Sequence, residues 1–179
     1  MIIFVALGLL ILIVIIIFAS PTLSPIPYFP SNHRDLPLIT KALDLKTDQV
    51  IFDLGAGDGV IIFEAARQSW AQNLNTKFVA VEMNPILAMI LHIRRLLHPN
   101  RKRIYIVWGD MFKADYSKFT SPKNFVTIYI YVSPRFIPKI IAHMKLQFKH
   151  FYVVSYFYPI VEAMKPFDAG VHNIYRKTF

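Results

Sequence analysis

From residue 50 the chain runs through an apolar stretch, Val50-Ile51-Phe52, into Asp53-Leu54-Gly55-Ala56-Gly57-Asp58-Gly59, and then into a helical pattern over residues 60–70. Glycines at alternate positions let the backbone leave a strand by a tight turn and pass close to a ligand, because no Cβ intervenes. A strand ending in such a turn and feeding a helix is half of a βαβ unit, and the rest of the sequence continues the alternation. Residues 77–82 read as a second strand and 85–97 as a helix with proline in its first turn. Residues 104–108, 125–132 and 151–157 read as further strands, with a helix over 134–148 and a sixth candidate strand at 172–178. Strands alternating with helices imply right-handed crossovers and a mostly parallel sheet. The expected fold is therefore α/β: a Rossmann-like, mostly parallel sheet flanked by helices. The C-terminal part is short, which leaves the final strand pair open to truncation.

At 179 residues the chain has room for one such domain. Its hydrophobic content, 55%, is raised by residues 1–19, which carry no charge. As a helix they would rise roughly 28 Å at about 1.5 Å per residue, close to the ~30 Å hydrocarbon core of a bilayer. A buried core helix would keep a polar stripe. A cleaved signal peptide would carry basic residues ahead of the apolar run and a better cleavage site than Phe18-Ala19-Ser20. The expectation is a retained single-pass transmembrane anchor over 1–19. The nearest basic residue, Arg34, lies on its C-terminal side, which favours a cytoplasmic globular domain. Residues 20–32 contain Pro21, Pro25, Pro27 and Pro30 and form a semi-rigid linker to a domain spanning 33–179. Ser31 or Asn32 is the candidate N-cap of a first short helix.

The net charge of +9 is uneven: between Arg94 and Lys149 twelve Lys and Arg face only Asp110 and Asp115. The densest run is Arg94, Arg95, Arg101, Lys102 and Arg103. It reads either as a solvated face or as a surface apposed to anionic headgroups. No nucleic-acid module accompanies it, so nucleic acid is not the expected partner. The chain has no cysteine, which excludes disulfides and thiolate metal sites. Its histidines show no paired ligand spacing, so no metal is expected. There is no Gly-x-Ser-x-Gly elbow and no Walker loop. Oligomeric state is not encoded in any recognisable way.

In a sheet of this kind, ligands bind outside the carboxyl ends of the strands. Of eleven acidic residues, Asp53, Asp58, Glu82 and Asp110 fall at those ends. Glu82 can accept two hydrogen bonds from a ribose diol, and Asp110 can accept from an adenine amino group. A dinucleotide fingerprint would need glycine at position 60, which is Val60. Asp53 and Asp58 would repel a pyrophosphate but attract the amino and sulfonium groups of S-adenosylmethionine. The expected cofactor is therefore S-adenosylmethionine, held by Asp53, Gly55, Gly57, Asp58, Gly59, Glu82 and Asp110.

Asp53-to-Gly59 followed by Val81-Glu82-Met83-Asn84 resembles the class I S-adenosylmethionine-dependent methyltransferases, over roughly residues 33–160. More narrowly, the chain is similar to the small membrane-anchored protein-lysine methyltransferases that act on the adenine nucleotide translocase and the ATP synthase c-subunit. The shared features are the apolar N-terminus, Pro27-Tyr28-Phe29-Pro30-Ser31, Gly109-Asp110-Met111-Phe112, Ile128-Tyr129-Ile130-Tyr131 with Pro134, and Val154-Ser155-Tyr156-Phe157. Val60 stands where members often carry arginine. The resemblance implies cofactor contacts at the glycines, Glu82 and Asp110, and a lysine on a membrane-associated protein as acceptor. A lysine cation is guided by aromatic faces, which makes Tyr129 and Tyr131 candidate catalytic residues, with Tyr28 and Phe29 beside them. Ordinary core packing is the competing reading of these rings, and interface anchoring that of Tyr28 and Phe29. A lipid or quinone acceptor, or a cofactor-binding scaffold without turnover, are the alternative functions.

Overall fold

The computed structural model describes residues 1–19, 29–161 and 163–179. Seven strands form one sheet: β1 (Gln49–Leu54), β2 (Lys77–Glu82), β3 (Ile104–Trp108), β4 (Phe125–Ile130), β5 (Tyr152–Tyr156), β6 (Asp168–Ala169) and β7 (Asn173–Thr178). Their spatial order is β3-β2-β1-β4-β5-β7-β6. Strands β1 to β5 pair in parallel, and β7 runs antiparallel between β5 and β6. The strand pair left open to truncation is thus present, although β6 is only two residues long.

Four helices accompany the sheet: α2 (Leu36–Leu43), α3 (Val60–Ala71), α4 (Pro85–Leu97) and α5 (Ile137–Gln147). Ile39 of α2, Ala65 of α3 and Leu91 of α4 pack with Ile51, Phe78 and Ala80 on one face. Ile140, Ile141 and Met144 of α5 pack with Phe52, Val79 and Ile128 on the other. Successive residues of β1 enter opposite cores, so the strand is buried along its whole length and its middle, Val50-Ile51-Phe52, is continuously apolar. Fully burying a side chain such as Phe52 is worth roughly 2–3 kcal/mol.

Local chemistry sets the helix starts. Asn84 caps α4, its side-chain oxygen accepting from the backbone N–H groups of Ile86 and Leu87, and Pro85 fits the first turn. The helix expected from residue 134 begins instead as a 3-10 turn, Pro134–Phe136, with α5 starting only at Ile137. Pro138 explains the delay: it has no N–H to bond back to residue 134 and is tolerated only in a first turn. Asn32, rather than Ser31, caps the short 3-10 turn His33–Asp35 that leads into α2.

At the N-terminus, α1 covers Ile2–Ala19 and touches α4. The transmembrane helix expected over residues 1–19 is not reproduced: among the described residues, no helix is long and apolar enough to cross a membrane. Most of the proline linker, residues 20–28, lies outside the described residues.

Candidate functional site

Chain order reverses between β1 and β4, which is where an α/β sheet opens a crevice at its carboxyl end. A cavity of about 440 Å³ lies there, lined by residues that follow β1, β2, β3 and β4 and by the segment ahead of α2. It is within the range of small-molecule and cofactor sites, about 300–1,000 Å³. Asp53, Gly55, Gly57, Asp58, Glu82 and Asp110 all line it, as do Tyr129 and Tyr131.

The glycine turn is tied to β2. The N–H groups of Gly55 and Ala56 both donate to the Val81 carbonyl, at 2.9 and 3.0 Å. Gly57, at φ 58°, donates its N–H to Glu82 Oε2 at 2.8 Å, and Asn84 N–H donates to Oε1 at 2.8 Å. Glu82 therefore anchors the turn and keeps an acceptor lone pair on each oxygen for a ligand. Burial raises its carboxyl above the ordinary range, against the lowering effect of those backbone donors.

Gly59 is not among the cavity-lining residues. It is the N-cap of α3 at φ 78°, and a Cβ there would collide with Leu91 of α4 and Phe63 of α3. That position is needed for close packing of α3 against α4.

Asp53 is buried, and among the described residues its carboxyl accepts no hydrogen bond. Burial first, then the charges of Glu82 and Asp58, push it up to about 8. An orphaned, cavity-facing acid of this kind is stabilised by a cationic ligand group. Asp58 is differently placed: Arg94 holds its carboxylate at 3.0 Å, and the other oxygen accepts from Val60 N–H at the start of α3. The helix N-terminus on which a pyrophosphate would sit is thus already occupied by a carboxylate. Asp110 follows β3, where one of its oxygens accepts from Phe112 N–H at 2.8 Å.

Tyr129 stands opposite Asp53 in the β1–β4 register and is 2% exposed. Its hydroxyl is engaged with Ser31 Oγ at 3.2 Å. Burial, chiefly, and Asp53 beside it keep its phenol far above the usual range. Tyr131 is half-buried, its ring edge-on to Tyr156 at 4.8 Å, and burial again raises its phenol above the usual range. The sequence reading missed Ser31 as a wall residue, together with Met111 and Phe136. Phe29 completes that side of the mouth, while Tyr28 lies outside the described residues. Phe112 and Phe136 face each other at 6.3 Å, and each carries a cation: Lys139 at 4.1 Å from Phe112 and Arg135 at 4.7 Å from Phe136. No group of three or more potential metal ligands occurs among the described residues.

With this geometry in view, comparison with known proteins separates fold from identity. No protein-family model matches the sequence, and no curated protein does. Solved structures do match. An RNA methyltransferase from Salinibacter ruber, in complex with S-adenosyl-L-homocysteine, superposes with TM-score 0.66 at 24% identity, over 84% of this chain and 93% of that one. A SAM-dependent methyltransferase from Geobacter sulfurreducens, also in complex with S-adenosyl-L-homocysteine, gives 0.53 at 14% identity, over 83% and 57%. Precorrin-6y C5,15-methyltransferase from Geobacter metallireducens gives 0.50 at 19%, over 70% and 62%. This chain spans somewhat over half the length of the two Geobacter proteins. The shared feature is the fold: the Rossmann-like, seven-stranded sheet of the S-adenosylmethionine-dependent methyltransferases.

Proposed function

We propose that this protein is an S-adenosylmethionine-dependent methyltransferase, acting on a lysine of a membrane-associated protein. The observation that carries the cofactor assignment is the orphaned Asp53 carboxyl, sharing one cavity with Glu82 and Asp110 beside a helix N-terminus already filled by Asp58. In this reading Glu82 takes the ribose diol on its remaining lone pairs, Asp53 faces the amino group and Asp110 the adenine. The Salinibacter ruber and Geobacter sulfurreducens structures, both in complex with S-adenosyl-L-homocysteine, favour S-adenosylmethionine as the donor as well.

When bound, the cofactor would supply an already activated methyl group, which leaves the protein chiefly the task of in-line positioning. Tyr131, Phe29, Phe112 and Phe136 form an aromatic mouth suited to guiding an amine.

The membrane part of the proposal rests on α1, whose described side chains from Ile3 to Ile16 are all uncharged and exposed. We read it as part of a single-pass anchor, with the domain on the cytoplasmic side. The test is incubation of the full chain with methyl-labelled cofactor and native membranes, followed by sorting of the label. Label in protein lysines is the expected result. Label in lipid or quinone alone, or in RNA, would replace the acceptor, and no label anywhere would indicate a scaffold.

A further inference from the structure

Helix α4 is apolar on two sides. Leu87, Ala88 and Leu91 are buried against the sheet. A surface helix normally turns polar residues to the other side, yet here Met89, Ile93, Leu96 and Leu97 stand there, each more than half exposed. Their spacing, four then three then one, keeps them on one face. At the C-terminal end of this stripe a concavity joins Leu97 to Trp70, Arg101, Lys102 and Arg103. The three basic residues are exposed, and no acidic residue occurs between Glu82 and Asp110 in the sequence.

We infer that the outer face of α4, with this concavity, docks onto an anionic bilayer surface. The stripe enters the acyl boundary, Trp70 sits at the interface, and Arg101, Lys102 and Arg103 meet headgroup phosphates. An RNA partner would satisfy the basic residues but press four apolar side chains against a charged backbone. A second copy of the chain would bring two basic clusters together. The inference rests on the membrane reading of α1, and it adds an orientation. Lying flat, α4 would hold the cavity, whose wall includes Met83 and Leu87, at headgroup level.

Because the chain has no cysteine, single cysteines can report position in the full-length protein. Leu97→Cys on α4 and Leu146→Cys on α5 are both at exposed leucines, on opposite faces of the sheet. Each is labelled with an environment-sensitive fluorophore and mixed with phosphatidylcholine vesicles, with or without phosphatidylserine. The expected result is a blue shift at position 97 with phosphatidylserine vesicles, reversed by salt, and none at position 146. Combined Arg101→Gln, Lys102→Gln and Arg103→Gln should weaken that docked state roughly a hundredfold, at about 1 kcal/mol per lost charge. A chain that sediments with vesicles without a shift at position 97 keeps its anchor and overturns the α4 inference. A chain that does not sediment overturns both. A shift at both positions, or one produced by RNA or by raised protein concentration alone, also overturns it.

Discussion

Asp53 and Glu82 line the same cavity but do different work, and substitution should separate them. Asp53 has an ordinary value of 3.8 and is pushed up to about 8 in the folded chain. Between those values the folded state holds a proton that the unfolded state has lost. The stability Asp53 confers is therefore full below pH 3.8 and is lost as pH rises through about 8. Asp53→Asn should flatten that part of the pH–stability profile of the cofactor-free protein in thermal melts. A cationic ligand group reverses the preference, so cofactor binding below pH 8 should expel a proton. Calorimetry in buffers of different ionisation enthalpy would detect it, and the signal should vanish in Asp53→Asn. An unchanged buffer dependence in that variant would contradict the placement of Asp53. Glu82→Ala should instead weaken the cofactor by about 1–3 kcal/mol, the cost of unmade hydrogen bonds to a charged group. Equilibrium binding measures this, and parent-like affinity would remove Glu82 from the site.

At the scale of elements, one acid outside the cavity holds the scaffold behind it. Asp35, at the junction before α2, is 1% exposed and accepts from Tyr156 hydroxyl at 2.7 Å, Val171 N–H at 2.7 Å and His172 N–H at 2.9 Å. It thereby ties the N-terminal segment to the end of β5 and to the turn before β7, and Tyr156 in turn packs on Tyr131. Burial raises its carboxyl, but the hydrogen bonds outweigh that and hold it below the ordinary range. Its contribution is therefore present above its ordinary value of 3.8 and lost as pH falls through its lower folded value. Asp35→Ala strands three donors and should cost about 3 kcal/mol, a fall in melting temperature of roughly 6–12 °C. A neutral result at pH 7 would show that the contacts do not form. None of this was legible in the sequence, because the partners are 121 to 137 residues apart and pair no recurring motif. The same holds for Ser31 and Tyr129, 98 residues apart. By contrast the positions of Asp53, Glu82 and Asp110 at the cavity could be read directly, since each falls at or just beyond the end of a strand whose apolar pattern marks its boundary. β2, α4 and β3 begin and end where their patterns predict, whereas β6 is too short to carry any period.

For the whole molecule, the question is what the N-terminal segment contributes beyond the domain. Phe29 and Ser31 line the cavity, so the segment just ahead of α2 is part of the site wall. Removing residues 1–28 keeps both residues and every cavity-lining side chain described, and cofactor affinity should stay within about twofold of the full chain, well under 1.4 kcal/mol. The loss should fall on the acceptor side. A tethered enzyme meets a membrane acceptor at an effective concentration set by its linker, and release into solution removes that advantage, about a hundredfold at low enzyme concentration. Transfer to a soluble acceptor peptide should be unaffected, which separates lost tethering from lost catalysis. If truncated and full-length chains methylate membranes equally well, the tether has no catalytic consequence and the membrane reading of residues 1–19 loses its functional support. If transfer to both acceptors falls together, the segment acts instead by ordering Phe29 and Ser31 over the cavity, and the residue to test next is Ser31, through its bond to Tyr129.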